Sequence, residues 1–174
     1  MNDVYLSDFP RLFTGLAEWC ACMVVVAQYP RRFSGVRLWQ VLGAGLVFQC
    51  VFLVLTDALP LWLWLPCMAA AVGLMLLFIA SCCDLPWAAA GYCTARAFVL
   101  AEFAASLEWQ LYSYALYALG WQRGTASAAA LSAFMLTLVY AAVFSVMFCL
   151  ESRRTDPRAA LTFRFQELWS PVLI

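Results

Sequence analysis

The chain contains no histidine and no lysine, and only 11% of its 174 residues are charged. Without histidine it lacks the commonest general base, the commonest haem ligand and any phosphoryl-accepting imidazole. Its ten basic residues are all arginine and balance ten acidic ones, so the net charge is zero. Nucleic acid is therefore not an expected partner. Eight cysteines are present, but the close pairs are Cys20-x-Cys22 and Cys82-Cys83. Neither has the two-residue spacing of a zinc or thioredoxin-type site. The cysteines read as small buried hydrophobes, and neither a metal nor a cofactor is expected. No nucleotide-binding glycine loop, histidine-based triad or carboxylate pair beside a nucleophile occurs, so no catalytic residue is assigned and the chain is not expected to be an enzyme. The opening Met1-Asn2-Asp3-Val4 has no basic n-region, and no small-residue cleavage site follows the first apolar run. A signal peptide is not expected there.

What fills the chain is apolar sequence, at 66% of residues. A soluble domain is roughly half apolar and about a quarter charged. Departure from both figures in the same direction fits a surface that faces lipid. About 20 consecutive apolar residues cross a bilayer as a helix. Runs of that kind cover residues 9–27, 36–55, 61–82, 87–119 and 126–150. The fourth is too long to lie wholly in hydrocarbon. Another helix, amphipathic or truncated, is expected at 166–174. Barrel strands would alternate apolar and polar residues over short segments, and these runs do not. The expected fold is all-α: a single transmembrane domain over residues 1–174, a polytopic bundle of about five spanning helices.

The loops orient the bundle. Arg31, Arg32 and Arg37 lie between the first two runs, and Arg153, Arg154, Arg158 and Arg164 follow the fifth. With five crossings both clusters fall on one side. Asp3, Asp8 and Asp57 fall on the other, which carries only Arg11 and Arg123 as basic residues. The positive-inside rule makes the arginine side cytoplasmic. In the cell membrane the N-terminus is then outside and the C-terminus inside. Trp39, Trp62, Trp64, Trp87 and Trp121 lie near run ends, as in an interfacial aromatic belt. There is no internal repeat of the kind that marks inverted-repeat transporters.

The fourth run carries three ionisable residues, Arg96, Glu102 and Glu108. At about 100° per residue, Glu102, Ser106, Trp109 and Ser113 share one stripe. Gln110, Tyr114, Tyr117 and Arg96 continue that stripe around the helix. Glu108 points almost the opposite way, near the outer end, and reads as interfacial. Arg96 and Glu102 are too far apart along the helix to pair directly, so each needs a partner on another helix or in water. Glu18 in the first run is a candidate partner for Arg96, with Gln40 and Gln49 as others. Polar groups that merely hold a bundle together would give the same pattern as a ligand pocket or a bistable polar network. Gly43, Gly45, Ala69, Ala70, Ala71, Gly73, Ala101, Ala104 and Ala105 are small enough to allow close helix approach.

Three segments carry a family resemblance. Pro30-Arg31-Arg32-Phe33 is followed by Arg37-Leu38. The fourth run contains Ala101-Glu102-Phe103-Ala104-Ala105-Ser106-Leu107-Glu108-Trp109-Gln110-Leu111-Tyr112. Leu150-Glu151-Ser152-Arg153-Arg154 is followed by Leu161-Thr162 and Gln166-Glu167-Leu168. Together these span most of the chain and resemble the N-terminal membrane sensor region of sensor histidine kinases with a GHKL-type ATPase domain, found in gut Firmicutes and Actinobacteria. The fourth-run segment is the most specific part, and the basic turns are generic. In that family further membrane helices follow, then a dimerisation helix bearing histidine, then the ATPase domain. Here the sequence stops where the next helix would begin, which implies a truncated sensor module or a fragment of one. The resemblance implies a non-catalytic sensor or receptor module of a signal-transducing kinase, acting as a homodimer in the lipid bilayer with a downstream kinase domain. A small transporter or substrate-binding transport subunit using Arg96 and Glu102, and a structural or assembly membrane protein, are the competing expectations.

The arginine asymmetry yields a testable topology. Cysteines placed at Ser34 and Thr155 on a cysteine-free background should resist a membrane-impermeant maleimide added to intact cells and react after permeabilisation. Labelling of both positions from outside would reverse the orientation.

Overall fold

The computed structural model describes residues 11–56, 60–122 and 124–152. Five helices form in chain order: α1 (Arg11–Gln28), α2 (Val36–Leu55), α3 (Leu61–Cys82), α4 (Trp87–Leu119) and α5 (Ala126–Ser152). Among the described residues the only β pairing is an isolated bridge between Arg31 and Cys83. The all-α expectation holds, and the boundaries follow the apolar runs to within two residues where they can be compared. The expected helix at 166–174 and the Arg153–Arg164 cluster lie outside the described residues.

Four of the helices, α1, α2, α3 and α5, are long and apolar enough to cross a membrane. The exception is α4, whose 33 residues include Arg96, Glu102 and Glu108. The packing explains how it can afford those groups. It lies against α1, α3 and α5, while α1 touches all four other helices. Half of α1's apolar span is buried, against 17–22% for α2, α3 and α5. The centre of the molecule is therefore the α1–α4 pair, and the other three helices turn apolar surface outward.

Small side chains make that centre close-packed. Ala17 and Ala21 of α1 join Ala90, Ala97, Ala101, Ala104 and Ala105 of α4 in one buried cluster. Alanine lets helix backbones approach where hydrocarbon outside supplies no drive to associate. Of the small residues singled out above, Ala71, Ala101, Ala104 and Ala105 are buried, whereas Gly43, Ala69 and Ala70 are exposed. Gly45 does admit a neighbour: a Cβ there would run into the Phe78 ring of α3. Two directional bonds tie α1 to its flanks. The Trp19 indole donates to the Leu42 carbonyl at 3.0 Å, and the Tyr140 hydroxyl donates to the Phe13 carbonyl at 2.8 Å.

The ends are set by local chemistry. Pro60 and Pro86 immediately precede α3 and α4, where a missing N–H costs nothing. α4 stops at Gly120, whose φ of 64° is left-handed, and Trp121 N–H closes back on the Leu116 carbonyl at 3.1 Å. That is the usual glycine-terminated helix end. Thr125 caps α5 by accepting from Ala128 N–H at 3.2 Å. At the opposite end, two backbone bonds stitch the α1–α2 turn to the α3–α4 turn: Arg32 N–H to the Cys82 carbonyl at 2.8 Å, and Asp84 N–H to the Pro30 carbonyl at 2.9 Å. Trp39 and Trp87 are exposed near this end, and Trp62, Trp64 and Trp121 near the other.

Helix approach gives a matched test. A Cβ on Gly15 would meet the Cys50 Cα of α2 at 3.2 Å, whereas one on Gly43 meets nothing within 4 Å. Backbone cannot swing aside as a side chain can. Gly15→Leu should therefore destabilise by about 1–3 kcal/mol and lower the melting temperature in detergent, while Gly43→Leu leaves it nearly unchanged. Equal melting temperatures for the two variants would contradict this helix contact.

Candidate functional site

The α4 stripe read from the sequence divides in space. Glu102, Ser106, Trp109 and Gln110 line one cavity of about 500 Å³ between α1, α3 and α4, completed by Arg11, Thr14 and Trp64. They meet because α4 brings positions i, i+4, i+7 and i+8 to one side. The Arg11 guanidinium stands over the Trp64 ring, 6.0 Å from its centroid, a cation–π arrangement. Arg11 is also the cation within electrostatic reach of the Glu102 carboxyl. Glu102 Oε1 is buried without a hydrogen-bond partner among the described residues. The cavity thus pairs a cationic wall with an anionic wall. The lining also offers a hydroxyl, an amide and two indoles. Such a set can hold both charged ends of a small zwitterion, or one end of a larger polar molecule.

Ser113 does not line this cavity; it lies further along α4, half-buried, with its hydroxyl unpartnered among the described residues. Arg96 also departs from the stripe. It forms a hydrogen-bonded ion pair with Glu151 at the end of α5. Its guanidinium lies 5.6 Å from the centroid of the Tyr92 ring. Both partners line a separate cavity of about 520 Å³ between α1, α4 and α5, with Tyr29 and Cys93 nearby. Glu18 is therefore not the partner of Arg96. It is fully buried and accepts a hydrogen bond from the Gln49 amide of α2. Gln40 is exposed and fills no such role.

The largest correction concerns Glu108. In place of the expected interfacial position, its side chain is fully buried, and neither carboxyl oxygen has a partner among the described residues. Its face is the one α4 turns to the interior, shared with Ala101, Ala104, Ala105 and Tyr112. A helical wheel separates Glu108 from Glu102 but does not say which side faces lipid.

Arg11, Glu151 and the Glu18–Gln49 bond were not assigned from the sequence. A signal for two of them exists. Arg96 and Glu151 lie 55 positions apart, with the turn at 120–125 near their midpoint. Glu18 and Gln49, 31 positions apart, flank the turn at 29–35 in the same way. In an antiparallel hairpin, residues equidistant from the turn come level, so both pairs follow from turn position alone.

The cysteines behave as packing groups. Cys22, Cys82, Cys83 and Cys93 are buried thiols. Just past α3, burial and the adjacent Cys82 push the Cys83 thiol up to about 12, despite the opposing pull of Arg31 and Arg32. Just past α1, burial likewise raises the Tyr29 phenol above its ordinary value. Among the described residues no cluster of three or more histidine, cysteine, aspartate or glutamate side chains could hold a metal ion. No family model matches this sequence, and no curated protein or solved structure matches it either.

The Arg96–Glu151 pair can be tested by exchange. Breaking a buried pair costs roughly 3–5 kcal/mol. These side chains retain 32% and 14% exposure, so Arg96→Glu should cost somewhat less. Adding Glu151→Arg to Arg96→Glu should recover most of the lost thermal stability. A double variant no more stable than Arg96→Glu alone would mean that the pair does not form.

Proposed function

We propose that the bundle is the ligand-sensing membrane module of a signalling protein, without catalytic activity of its own. The observation that carries the reading is the α1–α3–α4 cavity, whose lining holds Glu102 with a carboxyl oxygen unpartnered among the described residues, beside Arg11, Ser106 and Gln110. A structural bundle gains nothing from keeping a carboxyl oxygen unpartnered at a cavity wall, because an unmet buried polar group costs stability. A binding protein does gain, since a ligand donor can complete the bond. Arg31, Arg32 and Arg37 stand at the opposite end of the molecule from Arg11. With that basic end in the cytoplasm of a plasma-membrane protein, the cavity lies toward the outside, where a small zwitterionic or polar signal would reach it. The resemblance to the sensor region of GHKL-type histidine kinases supports the same role and adds a homodimer and a downstream kinase domain to the proposal.

Glu102→Gln keeps size and hydrogen-bonding capacity while deleting the charge. Fused to a kinase catalytic domain with a transcriptional reporter, this variant should fold with an unchanged melting temperature and alter reporter output severalfold. Thr137→Val, on an exposed face of α5, should change neither quantity. Loss of folding in Glu102→Gln, or output matching that of Thr137→Val, would leave the cavity a structural feature only. Accumulation of a labelled zwitterion in cells, abolished by Glu102→Gln, would favour transport in place of sensing.

A further inference from the structure

Further along α1 lies another cavity with different chemistry. It measures about 400 Å³, sits between α1, α2 and α3, and is walled mostly by apolar side chains such as Trp19, Phe48, Met75 and Phe78. Its polar focus is Glu18, fully buried, with one carboxyl oxygen bonded by the Gln49 amide and the other unpartnered among the described residues. Among the described residues no arginine lines it. The Trp19 indole N–H, the obvious wall donor, is committed to the Leu42 carbonyl. What the cavity offers a guest is an acceptor of negative character at its base and aromatic surface above it. The charged and titratable groups within electrostatic reach of Glu18 are Glu102 of α4, Arg11 of α1, and the Cys22 and Cys50 thiols. Arg11 lies seven positions earlier, about two turns away on the same face of α1, and lines the cavity described above.

The mouth of this cavity fixes the route of entry. Phe48 and Leu77 at its rim are 60% and 54% exposed on the apolar outer surfaces of α2 and α3. Both helices are long and apolar enough to cross a membrane, so the mouth opens to hydrocarbon. A guest must then partition into lipid and still present a cationic N–H donor. We propose that this cavity is a binding site for lipophilic amines, which enter from the bilayer between α2 and α3 and donate an ammonium N–H to Glu18. The ion pair is the same whether the amine arrives protonated or takes its proton from the Glu18 carboxylic acid; in both cases a carboxylate faces an ammonium. Aromatic walls add cation–π attraction for such a group. This inference concerns a separate cavity and does not rest on the sensing role of Glu102.

The test uses the full chain in nanodiscs of neutral phosphatidylcholine, with radiolabelled 3-phenylpropylamine as probe and unlabelled analogues as competitors. Unlabelled amine should displace the probe at least tenfold more effectively than 3-phenylpropanol, which lacks the charge. It should also outcompete the trimethylammonium analogue, which lacks an N–H. Glu18→Gln should lose at least tenfold in affinity, while Thr137→Val, on an exposed face of α5, binds as the wild type does. Gly45→Leu drives bulk into the Phe78 ring at the cavity wall and should also weaken binding. No saturable binding to the wild-type chain, or alcohol competing as well as amine, would overturn the proposal. So would loss of binding in Glu102→Gln with retention in Glu18→Gln. Because the wild-type competition needs no variant, a Glu18→Gln protein that fails to fold leaves the test intact.

Discussion

A carboxyl group on a helix whose neighbours face hydrocarbon has to be housed inside the bundle, because nothing outside can solvate it. Glu18, Glu102 and Glu108 impose that constraint here, and the arrangement of the five helices follows from it. α1 and α4, which carry all three, occupy the centre. α2, α3 and α5 carry almost no charge within their spans and serve as the apolar jacket. Alanines on α1 and α4 let the central pair close tightly. The cavities along α1 are the places where close packing and polar cargo could not both be satisfied.

The two cavities divide the chemistry. The one walled by Arg11 and Glu102 contains both signs of charge. The one floored by Glu18 contains a single acidic group among aromatic and aliphatic side chains. α1 supplies a wall to each, through Arg11 and Thr14 at its start and Glu18, Trp19 and Cys22 further along. Arg96 and Glu151 form a third polar centre near the end of the bundle that carries the arginine-rich turn. Being paired, they join α4 to the end of α5 instead of presenting an unmet group.

The helices were legible in the sequence because their signal is local: each is a long apolar run. The grouping of Glu102, Ser106, Trp109 and Gln110 was legible for the same reason, since one helix fixes it. Partnerships between helices were not. Glu18 was matched to Arg96, whereas each bonds to a residue level with it across its own hairpin. Glu108 was placed at the interface because it lies near the outer end of its run, while the identity of the inward face depends on which neighbours α4 acquires. Arg11 escaped attention because it reads as an end residue, and only the arrival of Trp64 from α3 turns it into a cavity wall.

The two backbone bonds that stitch the α1–α2 turn to the α3–α4 turn act as the hinge pin of a clothes-peg. Helices fastened at one end can change separation little there and more with every turn away from it. Over a hydrocarbon thickness of about 30 Å, a tilt of about 5° displaces the far end by roughly 3 Å, about the length of one hydrogen bond. Arg11, Trp64 and Gln110 stand toward that far end. The jaws of the peg are thus the walls of the doubly charged cavity, and a guest held between them would trade its own size for the spread of the helices.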